Sequence, residues 1–97
     1  GEGYRCMSEY AIFFSKRAKK ELLKIDKPIR RTIVSWIEKN IKGTRNPRIH
    51  GKALTGDLKG YWRYRVGNYR IIAEIRDEEW IVIAVSIAHR SSVYEEL

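Results

Sequence analysis

Trp62-Arg63-Tyr64-Arg65-Val66-Gly67-Asn68-Tyr69-Arg70-Ile71-Ile72-Ala73-Glu74-Ile75 is the stretch whose reading decides the fold. Gly67-Asn68 separates two runs rich in aromatic and β-branched residues, and a two-residue loop of this kind makes a hairpin turn of primed type. Closing the hairpin there sets its register. Val66 faces Tyr69, Arg65 faces Arg70, Tyr64 faces Ile71, Arg63 faces Ile72 and Trp62 faces Ala73. Successive side chains of a strand point to opposite faces. One face of the hairpin therefore carries Trp62, Tyr64, Val66, Tyr69, Ile71, Ala73 and Ile75. The other carries Arg63, Arg65 and Arg70. The first face needs a cover, and the rest of the chain has to supply it.

Upstream, Tyr10 to Phe14 reads as a first strand. Ser15 can N-cap a short helix in which Ala18, Leu22 and Ile25 share a face, although Lys16 and Arg17 oppose its macrodipole. Asp26, followed by Lys27 and Pro28, opens a second helix over 27–42. Its apolar stripe is Ile29, Ile33, Trp36, Ile37 and Ile41, and Gly43 suits the position after its end. Residues 43–60 read as an irregular, glycine-rich and basic connection, of a length that is often functional. A last strand is expected over 80–87. The order β-α-α-β-β-β predicts an α+β fold, with two N-terminal helices on one face of a largely antiparallel four-stranded sheet. Residues 7–97 are expected to form one domain, and residues 1–6, before Met7, an upstream or vector-derived extension.

Length and composition agree with this. Ninety-seven residues leave room for one domain, and 43% hydrophobic residues mark a globular chain. The single cysteine, Cys6, cannot form an internal disulfide, and no Cys/His spacing suits zinc. The apolar run Ile81 to Val85 is far short of the ~20 residues of a membrane span. A reduced, cytoplasmic domain with no membrane segment, no metal and no cofactor is expected. The net charge is +8, and residues 16–59 hold fourteen basic against four acidic residues. Such an excess suits a polyanionic or acidic partner.

Arg65 opposite Arg70 is a like-charge pair, which destabilises a hairpin. Conflicts of this kind are expected at functional sites. A phosphate, gripped by guanidinium groups in bidentate fashion, would relieve it. A last strand antiparallel to 69–76 ends at the Gly67-Asn68 turn, so His89 and Arg90 are expected to emerge beside Arg65 and Arg70, with Tyr94 within reach. Metal-free phosphodiester cleavage needs a group to take the 2′-hydroxyl proton, cations for the transition state and a donor for the leaving 5′-oxygen. Only RNA offers that hydroxyl.

The hairpin motif Trp62 to Ile72, followed by Ala88-His89-Arg90 and Val93-Tyr94, resembles the RelE/ParE toxin superfamily and the RelE branch in particular. His50-Gly51-Lys52-Ala53-Leu54-Thr55-Gly56 is similar to that family's loop before its second strand. The resemblance covers residues 8–95. It implies the toxin of a type II toxin–antitoxin pair, an mRNA endoribonuclease (mRNA interferase) acting in the A site of the 70S ribosome on mRNA held by rRNA. A RelB-like antitoxin would block it.

By position, Arg70 matches the arginine that stabilises the scissile phosphate and Arg90 the one proposed as general acid. Tyr94 matches a tyrosine proposed for proton transfer or base stacking. Arg63 and Arg65 stand where well-known members have lysines, and His89 where members vary between Lys and His. Arginine does not give up its proton, so the general base is expected to be His89 or Tyr94. The expected catalytic set is Arg65, Arg70, His89, Arg90 and Tyr94. Arg63, Lys52, Arg45, Arg48 and Lys59 are expected to contact RNA, while His50, in a loop from which it could touch RNA, reads as ordinary surface. Two rivals share the scaffold or the charge: a ParE-like toxin that binds DNA gyrase, and a plain RNA-binding module using the basic helices.

Overall fold

The computed structural model describes residues 9–90. The chain runs β1 (Ala11–Phe14), α1 (Lys16–Leu23), α2 (Lys27–Asn40), β2 (Gly51–Ala53), β3 (Trp62–Val66), β4 (Tyr69–Arg76) and β5 (Ile81–His89). The strands form one sheet in the order β1-β5-β4-β3-β2. Strand β1 lies parallel to β5 and every other pairing is antiparallel. The α+β arrangement is the expected one, with five strands instead of four. The additional strand is β2, inside the stretch expected to be irregular. Three residues carry no hydrophobic alternation to announce a strand. What admits β2 is the glycine at its start: a Cβ on Gly51 would lie 2.5 Å from the Arg63 carbonyl oxygen and 2.6 Å from the Trp62 ring.

The β3–β4 hairpin has the expected register, from Val66 opposite Tyr69 to Trp62 opposite Ala73. Strand β5 pairs from Arg76–Ile81 to Tyr69–His89, two residues beyond the expected end, with a register shift beside Ile72 and Ala73. Trp80, expected to begin this strand, instead precedes it at φ 57° after the 3₁₀ turn Asp77–Glu79, its ring 5.1 Å from that of Tyr10. Where β1 stops at Phe14, side chains around α1 complete the edge of β5. Ser15 Oγ accepts from the Ala18 N–H (3.0 Å) as the helix cap and donates to the Val85 carbonyl (2.9 Å). Glu21 Oε1 accepts from the Ile87 N–H (2.8 Å) and from Ser86 Oγ (3.1 Å). Backbone and hydroxyl groups beyond the reach of β1 are thereby satisfied.

The core lies between the helices and one face of the sheet. Ile33, Ile37 and Ile41 of the α2 stripe, each 1% exposed, meet Tyr64, Val66, Ile71, Ala73, Val82, Ala84 and Ile87. Trp62, Tyr69 and Ile75 pack at its margin, so the seven residues expected on the covered face all reach it. Helix α2 ends two residues early, at Asn40, and Asp26 stands at its N-cap without a side-chain bond. No helix among the described residues is long and apolar enough to cross a membrane.

Ile37→Ala removes a fully enclosed side chain and is expected to lower unfolding stability by about 2–5 kcal/mol in chemical denaturation. Ile29→Ala, at the exposed start of the same stripe, is expected to change it by less than about 0.5 kcal/mol.

Candidate nucleic-acid interface

The helices occupy one face of the sheet, and the basic residues line the other. Pairing across the strands gives two neighbouring rows on that open face. Lys52, Arg63, Ile72 and Ser86 form one, and Arg65, Arg70 and Ala88 the next. Adjacent strands lie about 4.8 Å apart, so the Arg65 and Arg70 side chains leave the sheet as close neighbours of like charge. Arg65 is exposed, whereas Arg63 and Arg70 are half-buried and Ile72 between them is buried. Arginine stems are suited to covering an apolar side chain while the guanidinium stays at the surface. Arg63 Nε is enclosed with no hydrogen-bond partner among the described residues.

At the β2–β3 edge this face deepens into a cavity of about 360 Å³, lined by Ile49, His50, Gly51, Lys52, Arg63 and Arg65. Its volume falls at the lower end of the roughly 300–1,000 Å³ usual for ligand pockets. Lys52, Arg63 and Arg65 meet here, without Arg70. His50 was not expected; the available signal was its place just before Gly51-Lys52 in a basic loop. Its ring stands edge-on to Trp36 of α2, with centroids 6.1 Å apart.

The loop carrying His50 is tied down at several points. The Tyr64 hydroxyl donates to the Pro47 carbonyl. The Arg48 guanidinium donates to both carboxylate oxygens of Asp77, at 3.0 and 2.9 Å, and lies 5.7 Å from the centre of the Trp62 ring. The Tyr10 hydroxyl donates to Asp77 Oδ1 at 2.6 Å, and the Tyr10 backbone bonds to Thr44 and Gly43. Hydrogen bonds from Arg48 and then from Tyr10 hold the Asp77 carboxyl below its ordinary range. Burial, reinforced by Asp77, raises the Tyr10 hydroxyl, and burial pushes that of Tyr64 far up. The Arg48 guanidinium, expected to contact RNA, is engaged here by a carboxylate of the same chain. Arg45 and Lys59 are exposed and lie outside the cavity lining.

The third segment also departs from expectation. His89 pairs with Tyr69 and stacks edge-on to its ring at 5.2 Å. Paired residues share a face, so His89 stands on the face opposite Arg65 and Arg70. The cause is the register shift in β5: one additional residue reverses the facing of every residue beyond it. Arg90 does reach the hairpin end, its N–H donating to the Asn68 carbonyl at 2.6 Å. Tyr94 lies outside the described residues.

A family model described as the ParE toxin of type II toxin–antitoxin systems, parDE, matches residues 12–94. Toxin RelG of Mycobacterium tuberculosis is 29% identical over 85 residues, covering 88% of this chain and 95% of RelG. Among solved structures, the toxin–antitoxin complex RelBE2 of M. tuberculosis matches with a TM-score of 0.79 at 28% identity, over 92% of this chain and 100% of the other. The RelB–RelE antitoxin–toxin complex of Methanococcus jannaschii matches at 0.60 and 29% identity, over 88% and 98%. A mutant of the E. coli toxin RelE in the free state has the same fold at 0.67 and 23% identity, over 84% and 83%.

Asp77→Asn tests the clamp on the loop. The folded-state pKa of Asp77 is lowered, so its contribution is present above the unfolded value near 4 and is lost as the pH falls through the folded value. Both partners are partly exposed, so the variant is expected to lose about 1 kcal/mol or less at pH 7. The stability difference between variant and wild type is expected to shrink as the pH falls below the unfolded value.

Proposed function

We propose that this chain, which belongs to the ParE toxin family of type II toxin–antitoxin systems, is a ribosome-dependent mRNA endoribonuclease that arrests translation. It cleaves in the cytoplasm by attack of the 2′-hydroxyl on the adjoining phosphate, without a metal. The observation that carries this reading is the sharing of one open sheet face by Lys52, Arg63, Arg65 and Arg70 beside a cavity of about 360 Å³. A face of this kind binds a phosphodiester and stabilises the charge that gathers on its equatorial oxygens. Arg65 and Arg70, opposite one another, grip the scissile phosphate. Arg63 and Lys52 take its neighbour, Arg45 and Lys59 contact rRNA, and Arg90 serves the leaving 5′-oxygen, with Tyr94 stacking on a base. Guanidinium groups cannot accept the 2′-hydroxyl proton, so a group of another kind has to stand beside them. A RelB-like antitoxin with an acidic or amphipathic segment covers the face and holds the toxin inactive. RelBE2 and the M. jannaschii pair are toxin–antitoxin complexes of similar proteins.

The matching family model is named for ParE, which favours a second reading, a ParE-like non-nuclease toxin that binds DNA gyrase. The two part on expression in cells. Translation arrest with cleaved mRNA supports the nuclease, and SOS induction without mRNA cleavage supports gyrase binding.

Arg65→Ala and Arg70→Ala are each expected to slow single-turnover cleavage of mRNA on programmed ribosomes by about 100-fold or more. A cleavage rate unchanged in both variants would sink the phosphate-gripping role.

A further inference from the structure

We infer that His50 is the group that takes the 2′-hydroxyl proton, a role that rests on the ribonuclease reading. Of the two histidines, His50 lines the cavity that Arg63 and Arg65 enter, whereas His89 stacks on Tyr69 across the sheet. The ring is presented by a braced segment. Pro47 is bonded to Tyr64, Arg48 to Asp77, and Gly51 enters the sheet where nothing larger fits against Trp62. A general base needs this kind of placement before its basicity matters. The charged groups that share the cavity with it are Lys52 of β2 and Arg63 and Arg65 of β3, and from α2 it meets the Trp36 indole. No carboxylate is among the cavity-lining residues. Cations draw the phosphate in, and the imidazole is the cavity-lining group with a nitrogen lone pair to offer.

The step balances. The 2′-oxygen forms a bond to phosphorus as its proton passes to the free ring nitrogen of His50, and the bond from phosphorus to the 5′-oxygen breaks. The products are a 2′,3′-cyclic phosphate and a 5′-oxygen whose charge Arg90 stabilises while it takes a proton from water. The imidazolium returns its proton to the hydroxide so formed.

The test is single-turnover mRNA cleavage on programmed ribosomes by the full chain and by His50→Gln and His50→Ala, each titrated to saturation between pH 5 and 8.5. Imidazole changes charge within that range. At saturation and pH 7.5 both variants are expected to cleave about 100-fold more slowly or worse. The toxin concentration for half-saturation stays within about threefold, and the wild type's loss of rate towards pH 5 disappears. Variants less than about tenfold slower, variants that keep the acidic loss of rate, or variants impaired only in half-saturation would each overturn the assignment. If the wild type cleaves nothing, the ribonuclease reading falls and this one with it. If the wild type cleaves and the variants match it, this one falls alone.

Discussion

A two-residue turn at Gly67-Asn68 leaves β3 and β4 a single way to pair, and that pairing sets Arg65 directly opposite Arg70. The register cannot slip to separate them. A shift of β3 by one residue would carry Tyr64 and Val66 out of the core and Arg63 and Arg65 into it. Burial of one face thus imposes like-charge crowding on the other. The folded chain holds two guanidinium groups together at a small electrostatic cost. An anion bound there would reverse the sign of that cost, because the crowding that opposes folding becomes pre-organisation for it.

The second half of the site depends on a different device. Residues 44–50 carry little apolar content, and the loop is held by polar contacts reaching distant parts of the chain. Asp77, just after β4, receives both Arg48 and Tyr10, and Tyr64 holds Pro47 from inside the core. These contacts bring the segment up to β3, where Gly51 permits a backbone approach that any side chain would block. The loop then delivers Lys52 into the row begun by Arg63, and His50 to the rim of the same cavity. Its charge at Arg48 serves to fasten the loop, and its charge at Lys52 faces outward.

Family membership and the geometry of the open face bear on different questions. Membership makes the chain a toxin of a type II toxin–antitoxin system. Both a nuclease and a gyrase-directed toxin can use this scaffold, because fold alone does not choose a chemistry. The nuclease reading we propose rests on side chains of one sheet face, the cationic rows beside the cavity.

Strong local signals carried most of the architecture from the amino-acid sequence alone. The hairpin register, the sorting of Arg63, Arg65 and Arg70 onto one face, the Ser15 cap and the Ile33-Ile37-Ile41 stripe each follow from a spacing of a few residues and a turn of known type. The remainder needed contacts between residues far apart in the chain. Strand β2 exists because β3 offers it an edge, and Arg48 is engaged because Asp77 lies 29 residues downstream. The two histidines exchanged their expected places for the same reason. Ile81-Val82-Ile83-Ala84-Val85-Ser86-Ile87 is almost uniformly apolar and gives no alternation in which an additional residue could be detected. That residue is accommodated only when β5 pairs with β4, and beyond it His89 faces away from the arginines. Short-range periodicity is written in the order of residues, whereas a bulge and a clamped loop are decided by packing between elements.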